Sequence, residues 1–179
     1  MSSQPNIAFR FPSEPDPSSN CFIRRATQTD LAGAFALVKE YFHAVGVWVR
    51  DTESGFGEYL VGDDSGVWLA FAATEAVGCI VLHPLASLPR SGEIKRLYVR
   101  PAYRRQGLAD GLLQALEEFA ANTSRYEWLY LDTKDDLVSA IRFYERHGYE
   151  CCDRYNSNPQ ATIFMRKRLK QFQAIGLKF

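Results

Sequence analysis

The sequence predicts a single-domain α/β protein, and three observations support this. Residues 93–121, EIKRLYVRPAYRRQGLADGLLQALEEFAA, read as a strand, a basic turn and a helix. With these included, the elements order as strand, helix, helix, three strands, helix, strand, helix, two strands, with no internal repeat. The chain has 179 residues, 46% hydrophobic and 23% charged, which is enough for one real core and ordinary for a soluble globular protein.

Each element follows from its local pattern. Residues 1–20 hold Pro5, Pro12, Pro15, Pro17 and several serines, and are expected to form a flexible arm or strap. Residues 21–25 read as a first strand. Thr29 or Asp30 can cap a helix to about Val45, whose apolar face is Leu31, Phe35, Val38, Phe42 and Val45, with Gly46 at its end. Trp48, Phe56, Tyr59 and Leu60 suggest a short second helix among loops. Residues 66–73 and 77–82 form an antiparallel hairpin across Thr74, Glu75 and Ala76.

The central strand, 93–99, is stopped by Pro101, which has no amide donor. Ile94, Leu97 and Val99 break strict alternation. A bulge would restore it and splay the strand open; the alternative is an ordinary irregularity. The central helix begins near Gly107 and stacks Leu108, Leu112, Leu116 and Phe119 in one stripe. Residues 126–132 form a strongly apolar strand. Asp135 or Asp136 can cap the next helix, on which Leu137, Ile141 and Tyr144 share a face, and Gly148 stops it. Residues 148–155 and 161–168 read as closing antiparallel strands. One domain thus spans 21–168, followed by a tail at 169–179.

The turn between central strand and central helix can hold an anion. Its backbone amides lie at the positive end of a helix dipole, and Gly107 lets a ligand approach the main chain. From 90 to 105 the basic residues Arg90, Lys95, Arg96, Arg100, Arg104 and Arg105 face one acid, Glu93, in a chain of net charge +0. No Gly-Lys-Ser/Thr follows and no Gly-x-Gly-x-x-Gly is present, so neither a P-loop nor a dinucleotide fingerprint is indicated. The plain alternative is a basic turn joining core elements.

In its strand–turn–helix setting, Arg104-x-x-Gly107-x-Ala109 resembles the pyrophosphate-binding motif of the GNAT superfamily of N-acetyltransferases, and the element order over 21–168 resembles a GNAT domain. The segments LYLDT and AIRFYERHGY are similar to bacterial-type members with small-molecule acceptors. The resemblance implies a mixed, mostly antiparallel central sheet of about six to seven strands with helices on both faces. It also implies direct transfer from acetyl-CoA to the primary amine of a small molecule or amino acid. A protein lysine or N-terminal acetyltransferase, or a non-catalytic acyl-CoA-binding module, stays open beside it. On the same resemblance, the amides of Arg105, Gln106, Gly107, Leu108 and Ala109 would hold the pyrophosphate and Arg104 would add charge. Leu97 and Val99 would pair with the pantetheine arm, and the Val99 N–H would polarise the thioester carbonyl. Tyr144 would protonate the leaving thiolate and Glu93 would deprotonate the amine. The alternatives are a core aromatic for Tyr144 and an ion pair with Lys95 or Arg96 for Glu93. Many members carry Asn where this chain has Leu137, which puts one pantetheine contact in doubt. The acceptor is expected beside Tyr41, Phe42, His43, Trp48 and Phe56, most of them packing residues, and the loop before Glu93.

Other classes are disfavoured. A balanced charge favours neither nucleic acid nor an acidic membrane surface, and no apolar run reaches membrane-spanning length. The N-terminal residues lack a secretory apolar core, and Glu14 and Asp16 argue against a transit peptide. Cys21, Cys79, Cys151 and Cys152 form no CxxC pair, and His43, His83 and His147 have no ligand spacing. No metal is expected, and reduced thiols point to a cytoplasmic setting. A homodimer is left open.

Overall fold

The computed structural model describes residues 21–48, 50–122 and 126–170. The expectations for residues 1–20 and 171–179 lie outside the described residues. Seven strands form one sheet in the order β1-β2-β3-β4-β5-β7-β6: β1 is Cys21–Arg25, β2 Gly66–Ala72, β3 Glu75–Pro84, β4 Ser91–Val99, β5 Trp128–Thr133, β6 Glu150–Cys151 and β7 Ile163–Arg168. All neighbouring strands pair antiparallel except β4 and β5, which are parallel. The helices are α1 (Leu31–Val45), α2 (Glu53–Gly57), α3 (Leu108–Asn122) and α4 (Val138–Arg146).

Strand alternation divides the core between the two sheet faces. Val67, Leu69 and Phe71 of β2 pack with Leu37, Val38 and Phe42 of α1 and Phe56 of α2. Trp68 and Ala70 point the other way, into a cluster with Leu112, Leu113 and Leu116 of α3 and Tyr144 of α4. Each fully buried leucine of α3 contributes about 2 kcal/mol from area removed from water. The buried face of α1 is Ala34, Leu37, Val38 and Phe42, so Leu31, Phe35 and Val45 sit at its margins rather than its centre. Gly46 and Gly148 take positive φ, +66° and +83°, and end α1 and α4 as expected.

Three local expectations are corrected. Leu137, not Asp135 or Asp136, occupies the N-cap of α4, without a side-chain cap bond; the Asp135 amide donates to Thr162 Oγ1. The strand expected over 148–155 shrinks to β6, because residues 152–161 leave the sheet as a loop tied to the site. The domain does not stop at 168: Leu169 is buried, and its amide donates to Glu127 O at 2.8 Å.

Candidate active site

β4 and β5 pair over only four positions, from Ser91↔Trp128 to Ile94↔Leu131. Beyond Ile94 they part, and β5 continues against β7 alone. A bulge marks the parting: Cys79↔Tyr98 and Val81↔Lys95 leave one extra residue on β4, where Arg96 takes φ +56°. The Arg96 carbonyl accepts from Cys79 Sγ and the Arg100 amide donates to Val77 O, so both turn toward β3. Alternation therefore turns the main-chain groups of Leu97 and Val99 to the open side, while their side chains pack toward α3. The break in the Ile94, Leu97, Val99 pattern is this bulge.

The turn after β4 sits at the same opening. Arg105 and Gly107 have positive φ, +64° and +77°, and α3 starts at Leu108. Gly111 N bonds Gly107 O, but no described acceptor takes the amides of Arg105, Gln106, Gly107, Leu108, Ala109 or Asp110. A Cβ built on Gly107 would meet nothing within 4 Å, so the turn faces open space. Gln106 Oε1 is buried without a hydrogen-bond partner. These donors fit a diphosphate.

The basic surplus is smaller than the sequence suggested. Arg90 pairs with Glu127, Lys95 with Glu93, Arg96 with Asp51, and Arg100 with Glu40 and Glu75. Most of these acids come from distant parts of the chain, which a local charge count does not see. Arg104 and Arg105 keep their charge without an ion pair among the described residues. Arg104 turns back across the open edge: its Nε donates to Val99 O at 2.9 Å, and its own amide donates to Pro101 O.

Tyr144 approaches the opening from α4. It is 6% exposed, packed edge-on to Phe143 and Tyr149. Burial pushes its phenol well above the ordinary value, and the nearby Tyr41 hydroxyl acts in the same direction. It therefore stays protonated through the neutral range. Tyr144 is thus a core aromatic whose phenol lies within electrostatic range of Tyr41 on α1.

On the α1 side, Glu93 lies beneath a polar roof. It is 5% exposed; Oε1 accepts from the Tyr155 hydroxyl and from Asn156 Nδ2, each at 3.0 Å, and Oε2 pairs with Lys95 at 3.0 Å. The ion pair with Lys95 thus exists, but in the interior rather than on the surface. Asn156 also donates to Asp132 Oδ2 at 2.6 Å, and Asn158 donates to both Asp132 oxygens at 3.2 Å. Gln160 ties this loop to the α1–α2 connection, donating to Gly46 O and accepting from the Trp48 amide. His83, opposite Glu93 in the β3–β4 ladder, meets Tyr59 edge to face, and burial holds its imidazole below the usual value. Of the aromatic residues expected near an acceptor, Phe42 and Phe56 are core, His43 and Trp48 are exposed, and Tyr41 reaches Arg96 and Tyr98.

Asp132, Tyr155, Asn156 and Asn158 were not among the residues singled out as catalytic or binding. The one signal was Asn156-x-Asn158-x-Gln160, three amide side chains at alternate positions in a stretch that reads as strand end and turn. A separate surface cavity of about 800 Å³ lies between α3, the end of α4 and β7. Glu117 there is taken by Lys167 and Tyr149, so its polar groups hold the helix to the sheet.

A family model described as "Acetyltransferase (GNAT) family" matches residues 31–149. The chain belongs to the GNAT acetyltransferase family. Among its relatives, an uncharacterised N-acetyltransferase of Schizosaccharomyces pombe is 33% identical over 149 residues, covering 79% of this chain and 90% of that one. The uncharacterised N-acetyltransferase YsnE of Bacillus subtilis is 32% identical over 150 residues, covering 78% and 96%. Among solved structures, the PaiA N-acetyltransferase of Thermoplasma acidophilum in complex with coenzyme A shares the fold with TM-score 0.69 and 18% identity, covering 83% of this chain and 99% of that one. This GNAT domain has the expected sheet: seven strands, mostly antiparallel, with helices on both faces.

Proposed function

We propose that this chain is an acetyl-CoA-dependent N-acetyltransferase that moves the acetyl group to the primary amine of a small molecule or amino acid, by direct transfer in a ternary complex. The carrying observation is the parting of β4 and β5 beside a turn rich in unpaired amides. A linear thioester arm can pair along Leu97 and Val99 while its diphosphate meets the amides of Arg105, Gln106, Gly107, Leu108 and Ala109. The Thermoplasma protein of the same fold is solved in complex with coenzyme A, which supports acetyl-CoA as the co-substrate.

The Val99 N–H polarises the thioester carbonyl, whose carbon the amine attacks. Tyr144 gives its proton to the sulfur as the C–S bond breaks, and regains one from the new amide nitrogen. Arg104 must release Val99 O, or share it, as the arm enters; freed, its guanidinium is available to the diphosphate. Glu93 already has both oxygens in hydrogen bonds and serves as the charged floor of the acceptor pocket. The loop carrying Gln160 joins the α1–α2 connection over that pocket, and such a roof favours a small amine over an extended peptide. Free-thiol detection with acetyl-CoA and a panel of amines, amino acids and peptides tests this. Turnover is expected with small amines; thiol release with peptides alone would transfer the chain to the protein-acetylating class, and none with any acceptor would leave a binding module.

A further inference from the structure

We infer that Asp132, rather than Glu93, is the carboxylate that receives the acceptor: it anchors the ammonium and takes its proton. This rests on the acetyl-transfer reading above and assigns a residue to its unfilled role.

Position is the first observation. Ile94↔Leu131 is the last β4–β5 pair, so Asp132 is the first β5 residue past the parting. Leu131 is buried on the α3 side, so alternation turns Asp132 to the α1 side, the side of the acceptor pocket. Glu93 stands one pair deeper, opposite Tyr130, behind the Tyr155 hydroxyl. Burial raises the Tyr41 phenol, the Arg96 charge opposes this and the Asp132 charge adds to it, so Asp132 and the bulge residue Arg96 both lie within electrostatic range of Tyr41.

Charge balance is the second observation. The pocket's other acids have cations, Glu93 with Lys95 and Asp51 with Arg96. Asp132 is half-buried and has no ion-pair partner among the described residues. Its hydrogen bonds come only from the neutral amides of Asn156 and Asn158. Those amides cannot be reversed, because the Asn156 and Asn158 side-chain oxygens accept the Asn158 and Gln160 backbone amides at 3.1 Å. The loop therefore aims two donors at a carboxylate and leaves its charge uncompensated. A half-buried charge without a counter-ion is costly, and an arriving ammonium relieves that cost.

The step balances. The ammonium R–NH3+ gives one proton to an Asp132 oxygen, and the freed lone pair forms the N–C bond at the thioester carbon. The C–S bond breaks, the thiolate takes the Tyr144 proton, and the amide nitrogen returns its second proton to Tyr144. The proton on Asp132 passes to solvent.

Calorimetric titration of the coenzyme A complex with arylalkylamines and free amino acids, together with thiol-release kinetics, tests the assignment on Asp132→Asn, Asp132→Glu, Glu93→Gln and Asp136→Asn. Asp132→Asn is expected to lose amine affinity by about tenfold or more and kcat/KM by about 100-fold or more, with coenzyme A affinity retained. Asp132→Glu, which keeps the charge, restores part of both. Glu93→Gln loses less than Asp132→Asn, and Asp136→Asn, on the exposed turn before α4, matches the parent. Parent-like amine binding and turnover in Asp132→Asn, or a larger loss in Glu93→Gln, overturns the assignment while the acetyl-transfer reading stands. Amine binding that depends on Asp132 without any thiol release overturns the reading and keeps the ammonium site. A parent protein that neither binds an amine nor releases thiol overturns both.

Discussion

Tyr144 is a packing residue to which the proposed function gives a chemical task. Its ring belongs to the buried cluster with the leucines of α3, and its phenol lies within electrostatic range of Tyr41. Burial keeps the phenol protonated, so it is a donor rather than a base across the working range. Tyr144→Phe keeps the ring and removes only the hydroxyl. The variant should lower kcat by about 100-fold while coenzyme A affinity stays within about twofold; equal loss of both in calorimetry and steady-state kinetics would make Tyr144 purely structural. At this scale the sequence was half readable. Gly107 lies inside a short turn pattern that a reading by spacing can find; spacing gave Tyr144 only as a core aromatic, and its chemical role was implied by the family resemblance. Asp132 did not show, because its partners Asn156 and Asn158 lie 24 and 26 positions away and meet it only once the loop after β6 folds back.

At the scale of elements, the unit that matters is β4, its turn and α3. Strand, stop and helix were legible because Pro101 and the leucine stripe are local signals. The bulge was legible as a broken alternation. The basic character of the turn was overread, because salt-bridge partners such as Glu40, Glu127 and Asp51 come from other elements. The proposed anion site would thus be mainly main-chain amides with Arg104 and Arg105, and it should respond to the backbone rather than to remote charge. Gly107→Glu puts a carboxylate in that turn. Space is open around Gly107, so φ +77° should cost only about 1 kcal/mol of stability. Coenzyme A affinity, however, should fall by about tenfold or more through repulsion of the diphosphate. Titration calorimetry giving parental affinity would move the site elsewhere.

For the whole molecule, the order of elements was legible from local patterns, while the mixed sheet with helices on both faces came from the family resemblance that this order carries. What a single chain could not show by spacing was the strand order, since β7 inserts between β5 and β6 and is the last strand in sequence. The two halves of the sheet meet through the short β4–β5 ladder, and the core on the α3 side runs across both. A ligand that pairs with β4 and sits on α3 therefore acts on global stability. Acetyl-CoA at roughly 100 times its Kd should raise the melting temperature by about 5 to 10 °C, and a thermal scan showing no shift would count against binding in this groove.

The bulge at Arg96 has a further consequence for solubility. An unpaired strand margin ordinarily invites other polypeptides to stack on it and grow into aggregates. Here the bare margin of β4 is interior to the sheet, pinched shut at Ile94 and crossed by the Arg104 side chain. The fold thus keeps a reactive peptide margin for a slim visitor without offering neighbours in a crowded solution a free side on which to polymerise.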